Sequence, residues 1–161
     1  PLQIVEKYAQ WAEAYQEDQI SIVFDTMWEG TAKVAYKIAY EIHDKSPDTV
    51  VKVFNISKAD KNEVMTEVFK SKAIVVGSPT VGNGILSSVA GWMEFLRQLK
   101  FKNKKAAAFG CYGWSGESVK ILKEQLKTAG FDVIDEEVRL LWNPKEEDTE
   151  TINALVEGLL N

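Results

Sequence analysis

The sequence predicts an open, doubly wound α/β fold, a five-stranded parallel sheet in the order 2-1-3-4-5 with helices on both faces. Three observations carry this prediction. Short β-branched apolar runs alternate with longer windows of helical spacing along the chain. The runs lack the polar alternation of a sheet with one wet face, so both of their faces should be covered. Turns rich in glycine and hydroxyl residues follow three of them.

Taken in order, "LQIVEKYAQWAEAYQ" (2–16) is an amphipathic helix ahead of the first strand. Residues 1–17 read either as a decorating helix or as a connector out of an upstream domain; 18–161 form the domain itself. "ISIVF" (20–24), "VVKVFN" (50–55), "KAIVVG" (72–77) and "KAAAFG" (105–110) are the first four strands. A later run from "FDVI" to "VRLLW" (131–142) supplies the fifth. Between and after them, 31–44, 60–70, 86–99, 116–129 and 147–160 carry apolar residues at helical spacing. Asp60 and Ser115 stand at N-cap positions, and Gly130 at a C-terminal stop. Strands alternating with helices require right-handed parallel crossovers.

Composition removes several classes of function. The chain has 161 residues, 45% hydrophobic and 27% charged, as in one globular domain. A net charge of −5 and the absence of a basic patch argue against nucleic acid. "KNKK" (102–105) is the densest basic run and reads as a solvated turn. No apolar run approaches the roughly 20 residues that span a bilayer, so no membrane role is expected. One cysteine, Cys111, excludes an internal disulfide and fits a cytoplasmic protein. With one histidine, His43, on a solvent-facing helical position, metal sites are poorly supplied.

In the order 2-1-3-4-5, strands 1, 3 and 4 lie side by side, and ligands bind beyond their carboxyl ends where the winding reverses. The loops there are "DTMWEGT" (25–31), "SPTVGNG" (78–84) and "CYGWSGE" (111–117). Each alone has a plain structural explanation: a tight turn at Asn83-Gly84, a flexible crossover, or Thr31 as a helix cap. Their convergence on one edge is the stronger signal.

Nucleotide triphosphate binding lacks the glycine-lysine loop, and a dinucleotide fingerprint is absent. Asn55-Ile56-Ser57, not an acidic residue, closes the second strand. Of the acidic cluster and lysine that a response regulator needs, only Asp25 is present. A monophosphate held by neutral donors fits what remains. Backbone N–H groups at a helix N-terminus would grip it, with the Thr26 and Thr31 hydroxyls adding to them. Leaving out a cation also suits a flavin of low potential. One unit charge about 8 Å from the ring, at an effective dielectric of about 20, is worth roughly 2 kcal/mol. Glu29 and Glu117 lie in these loops and no Lys or Arg does, which should disfavour negative charge on a reduced ring. Trp28, Tyr112 and Trp114 are candidates to flank it, whereas Trp11, Trp92 and Trp142 read as packing residues.

On "DTMWEGT", "VGSPTVGNGIL", "FKNKKAAAFGCYGWSGES" and "LWNP", the chain resembles the flavodoxin superfamily over essentially its whole length. It resembles most closely the flavodoxin-like domain of flavodiiron proteins, flavorubredoxins included. Thr26 and Thr31 keep the ends of the flavodoxin phosphate loop. Trp28 stands for its middle threonine and Glu29-Gly30 for the glycine-plus-polar pair, as in the flavodiiron branch. Cys111 departs from the serine expected before Tyr-Gly-Trp-Ser-Gly.

The resemblance implies an FMN site built from Thr26, Met27, Trp28, Glu29, Gly30 and Thr31 in the first loop. The second loop would add Ser78, Pro79, Thr80, Val81, Gly82, Asn83 and Gly84. The third would add Cys111, Tyr112, Gly113, Trp114, Ser115 and Gly116. It implies an electron-transfer domain that relays electrons to a diiron centre reducing oxygen or nitric oxide. That centre would sit in an upstream β-lactamase-like domain joined through residues 1–17. No catalytic or metal-ligating residue is expected in this chain, and no H-x-E-x-D-type cluster occurs in it. An electron donor such as rubredoxin or a flavin/NADH reductase, and a homodimer of the longer protein, are implied with it. The alternative is a free-standing FMN-dependent NAD(P)H:quinone reductase, for which Tyr112 and Trp114 would have to leave room above the ring.

Overall fold

The computed structural model describes Gln3 and residues 15–161. The helix expected over 2–16 therefore lies outside the described residues, except for Gln3, Tyr15 and Gln16. In order, the elements are β1 (Glu17–Phe24), α1 (Gly30–Lys45), β2 (Val50–Asn55), α2 (Lys61–Lys70), β3 (Ser71–Gly77) and α3 (Ser87–Arg97). They continue with β4 (Lys105–Tyr112), α4 (Ser118–Thr128), β5 (Asp132–Val133), β6 (Val138–Leu141), a 3-10 turn (Glu146–Asp148) and α5 (Thr149–Leu160). No helix among the described residues is long and apolar enough to cross a membrane.

The sheet runs β2-β1-β3-β4-β5 with every pair parallel, the order the sequence predicts. The fifth strand, however, is laid down in two pieces. Lys105 and Ala106 of β4 pair with Asp132 and Val133, while Phe109–Tyr112 pair with Val138–Leu141. Residues 134–137 thus oppose only Ala107 and Ala108 of β4. Asp135, Glu136 and Glu137 are poor strand formers, and the chain bulges outward there. Glu137 is held at the bulge by Lys123 of α4, 3.3 Å away.

Side chains of the central strands alternate between two cores, as a period of two dictates. Ile20, Ile22, Phe24, Val75, Ala107 and Phe109 pack under α1 and α5. Val23, Ile74, Val76, Ala106 and Ala108 pack under α2, α3 and α4. Burial on both faces explains why these strands read as continuous apolar runs. Asp60 caps α2, its Oδ1 accepting from the N–H groups of Asn62 (2.9 Å) and Glu63 (3.0 Å). Ser115 does not cap α4. Its hydroxyl points to Asn83 Oδ1, 3.4 Å away, and Glu117 holds the N-cap position without a side-chain bond.

"KNKK" is only partly the solvated turn its composition suggests. Lys104 is 3% exposed. Its ammonium donates to the carbonyls of Tyr15 (3.1 Å), Phe69 (2.8 Å) and Ser71 (2.6 Å). It ties the start of β1, the end of α2 and the start of β3 together at the edge opposite the three loops. Burial pushes its pKa from 10.5 down to about 8. The unfolded chain therefore holds a proton between those values that the folded chain has shed. The destabilising share of this group is full below about pH 8 and is relieved as pH climbs toward 10.5. Lys104→Met removes the ammonium donor from three carbonyls and should lower stability at neutral pH by about 2 kcal/mol. In urea titrations, the parent's advantage over this variant should widen from pH 7 to pH 10. A gap that stays constant with pH would contradict the linkage.

Candidate functional site

The three loops meet at the carboxyl edge of β1, β3 and β4, around a cavity of about 350 Å³. The first loop lines it with Thr26, Met27, Trp28, Gly30 and Thr31, the second with Pro79–Asn83, and the third with Cys111–Ser115. Trp142 and Asn143, from the turn after β6, complete the wall. Among the described residues, no charged side chain lines it.

Four of the residues singled out from the sequence stand behind or beside the lining. Ser78 is buried, donating to the Pro79 carbonyl (2.9 Å) and accepting from the Leu86 N–H (3.0 Å), so it braces the second loop from within. Gly84 closes that loop's tip through reciprocal bonds with Val81, 2.9 and 3.0 Å. Glu29 is exposed at the N-cap of α1 with φ 64°. Gly116 backs onto the Tyr112 ring and the Arg139 stem.

Local chemistry explains each turn. Glu29 takes the left-handed conformation to bring the chain into α1, and Lys33 is the first residue whose N–H bonds back into the helix, to the Glu29 carbonyl at 3.0 Å. The N–H groups of Gly30, Thr31 and Ala32 precede that ladder and carry the positive end of the helix dipole. In the second loop Gly82 (φ 53°) and Asn83 (φ 64°) make a two-residue hairpin turn that needs both in the left-handed region. Trp142 also takes a left-handed φ, 63°, which costs about 1–3 kcal/mol in a residue with a side chain. Its N–H donates to the Tyr112 carbonyl (2.9 Å), its own carbonyl passes over Gly30, and its ring covers Gly113. A Cβ on Gly30 would sit 2.6 Å from that carbonyl oxygen, so only glycine allows the crossing. Trp142 is thus a wall of the site and not a packing residue. The nearby "LWNP", with Pro144 restricting the backbone before it, was its one signal in the sequence.

Two polar groups of the lining are left over. The hydroxyls of Thr26 and Thr31 are buried and have no hydrogen-bond partner in the protein. An unpaired buried hydroxyl is unfavourable by about 1–3 kcal/mol, so two of them in one pocket mark places that a ligand would satisfy. Cys111 lies beside them. Burial pushes its thiol up to about 11; the neighbouring Thr31 hydroxyl draws it the other way, and Asp148 adds to the rise. The thiol is neutral at physiological pH, which keeps the pocket uncharged. At the rim, Trp28 (82% exposed) and Trp114 (91%) stand free on opposite loops. An arginine stem from outside the three loops packs beside them. Arg139 of β6 reaches the third loop, its Cδ 2.9 Å from where a Cβ on Gly116 would sit.

The flavodoxin family model matches residues 22–154 of the chain. The anaerobic nitric oxide reductase flavorubredoxin of Vibrio vulnificus (strain YJ016) is 47% identical over 144 residues, 89% of this chain and 29% of that protein. The flavorubredoxin of Escherichia coli O1:K1 / APEC is 43% identical over 150 residues, 93% of this chain and 31% of that protein. Among solved structures, rubredoxin oxygen:oxidoreductase from Desulfovibrio gigas superimposes with a TM-score of 0.90 at 35% identity, over 96% of this chain and 38% of that one. The flavodiiron protein of Giardia intestinalis superimposes with a TM-score of 0.84 at 27% identity, over 95% of this chain and 38% of that one. The chain spans about three-tenths of the length of the curated relatives it matches.

Proposed function

The chain belongs to the flavodoxin family, and from that membership we propose that it is the FMN-binding, electron-transfer part of a longer flavodiiron-type protein. The observation that carries the reading is the pair of unpartnered hydroxyls, Thr26 and Thr31, buried at the N-terminus of α1 in an uncharged pocket. These groups fit a phosphorylated flavin. When bound, FMN supplies one- and two-electron chemistry that no side chain offers.

The residues of this chain do the rest. Thr26, Thr31 and the leading N–H groups of α1 hold the phosphate, with roughly half a positive charge from the helix dipole in place of a lysine. Pro79–Asn83 and Cys111–Ser115 form the side walls, and Trp142 closes the far end. The exposed Trp28 and Trp114 shield the rim from water and leave its mouth open to a docking redox partner.

In the longer protein this domain would accept electrons from a carrier such as rubredoxin or a flavin/NADH reductase. It would pass them to a diiron domain that reduces nitric oxide or oxygen. The relatives' own names support this: a flavorubredoxin that is an anaerobic nitric oxide reductase, and a rubredoxin oxygen:oxidoreductase. The same likenesses give no support to a free-standing quinone reductase.

Titrating the FMN-free chain with FMN and with riboflavin tests the reading. FMN should bind one to one, with a shifted visible band and quenched flavin emission. Riboflavin, which lacks the phosphate, should bind at least about 100-fold more weakly, because charge-assisted hydrogen bonds are worth roughly 1.5–3 kcal/mol each. Equal affinity for the two would overturn the phosphate cradle, and no uptake of either would overturn the function.

A further inference from the structure

Asp25 ends β1 in the middle of the sheet and is 8% exposed, yet it does not line the pocket. Its Oδ1 accepts from the Thr26 N–H (2.8 Å) and faces the Ser57 hydroxyl (3.2 Å). Its Oδ2 accepts from the Ser88 hydroxyl in the first turn of α3. Its own N–H donates to the Gly77 carbonyl at the end of β3 (3.3 Å). Ser57 has one hydroxyl proton, and Asn55 Oδ1 is the nearer acceptor at 2.7 Å, so the Thr26 amide and Ser88 are the firmer anchors. No salt bridge to Asp25 occurs among the described residues.

We propose that Asp25 is a positioning residue of the FMN site. Its buried carboxylate clamps the first loop to α3 and to the turn after β2, and places a fixed negative charge behind an uncharged pocket. The proposal rests on the reading of the pocket as an FMN site. Two consequences follow from the geometry. The Thr26 amide is spent on Asp25 and is withdrawn from the ligand, which leaves the Thr26 hydroxyl, buried and unpartnered, as that residue's contribution. With no charged side chain among the described residues of the lining to offset it, the carboxylate opposes negative charge entering the pocket and holds the potential of the bound cofactor down. Asp25 was visible in the sequence only as a leftover acid; nothing local announces that residues 57 and 88 meet it.

The experiment compares the parent chain with Asp25→Ala, Asp25→Asn and Ser88→Ala in three measurements. These are amide hydrogen exchange of the FMN-free protein, the FMN dissociation constant, and the midpoint potential of the bound flavin. Asp25→Ala should abolish protection of the Thr26 amide and weaken FMN about tenfold or more. Ser88→Ala should weaken FMN several-fold. Asp25→Asn keeps an oxygen for the Thr26 amide, so it should retain protection and bind FMN within about threefold of the parent, while its potential moves positive. Unchanged protection and affinity in Asp25→Ala overturn the clamp. Should that variant not fold, an unchanged affinity in Ser88→Ala overturns it instead. An unchanged potential in Asp25→Asn overturns the electrostatic half. If the parent takes up no FMN, the functional reading fails, and the exchange data still decide the clamp.

Discussion

Thr31→Val is expected to weaken FMN binding by about 10- to 100-fold while leaving the FMN-free protein as stable as the parent, or slightly more so. Valine has nearly the shape of threonine, and Thr31 is 1% exposed at the start of α1. In the FMN-free protein its hydroxyl has no partner, so folding desolvates it without return. Removing it relieves that penalty in the free protein and removes a donor to the phosphate in the complex. The two effects have opposite signs, which separates a binding group from a structural one. Thermal midpoints and fluorescence titrations on the same preparation measure both. A variant that loses stability and keeps its affinity would show that Thr31 serves the fold and not the ligand.

Gly110→Ala is expected to destabilise the protein by about 3 kcal/mol or more and to abolish tight FMN binding with it. Gly110 lies in β4, next to the first residue of the third loop. A Cβ there would stand 2.3 Å from the Ser78 carbonyl oxygen and 2.8 Å from Ser118 Oγ. The serine hydroxyl can rotate away, but the carbonyl belongs to backbone that is already committed. Ser78 N–H donates to the Phe109 carbonyl (3.2 Å) and Thr80 N–H to the Cys111 carbonyl (3.0 Å). These two bonds extend the β3–β4 ladder into the loops and set the second loop beside the third. Making room for a methyl group breaks them and shifts Thr80, whose hydroxyl accepts from the Ser118 N–H at the start of α4 (3.2 Å). Urea unfolding gives the stability. A midpoint within about 0.5 kcal/mol of the parent would refute the close-packed account of this edge.

Much of this site was legible in the sequence because its parts are local. Strand interiors buried on both faces read as unbroken apolar runs, and Ile20–Phe24 and Ala73–Val76 occupy the places those runs suggested. The stop at Gly130 depends on a backbone conformation that few residue types favour, so the letters announce it; the tight turn read at Asn83-Gly84 lies one residue earlier, with Gly82 and Asn83 in the left-handed region. What the letters missed were encounters between distant parts of the chain. Lys104 sits in a basic run like any solvated turn, and only the meeting of residues 15, 69 and 71 around it makes it a buried clamp. Trp142 looks like any aromatic near a strand end until its carbonyl crosses Gly30 and its ring covers Gly113. Arg139, 23 positions from Gly116 in sequence, packs its stem against a loop whose own letters contain no arginine or lysine.

The sequence by itself determined the alternation of strands and helices and the absence of lysine and arginine from the three loops, since the first follows from periodicity and the second from the letters alone; the strand order followed from the fold class that this alternation implies. Only the tertiary structure decided which hydroxyls are left unpaired, which acid braces the first loop and which late turn closes the pocket. Hydrogen-bond satisfaction and burial are properties of neighbours in space. In a sheet wound from both sides, the neighbours that matter at its carboxyl edge come from loops tens of residues apart.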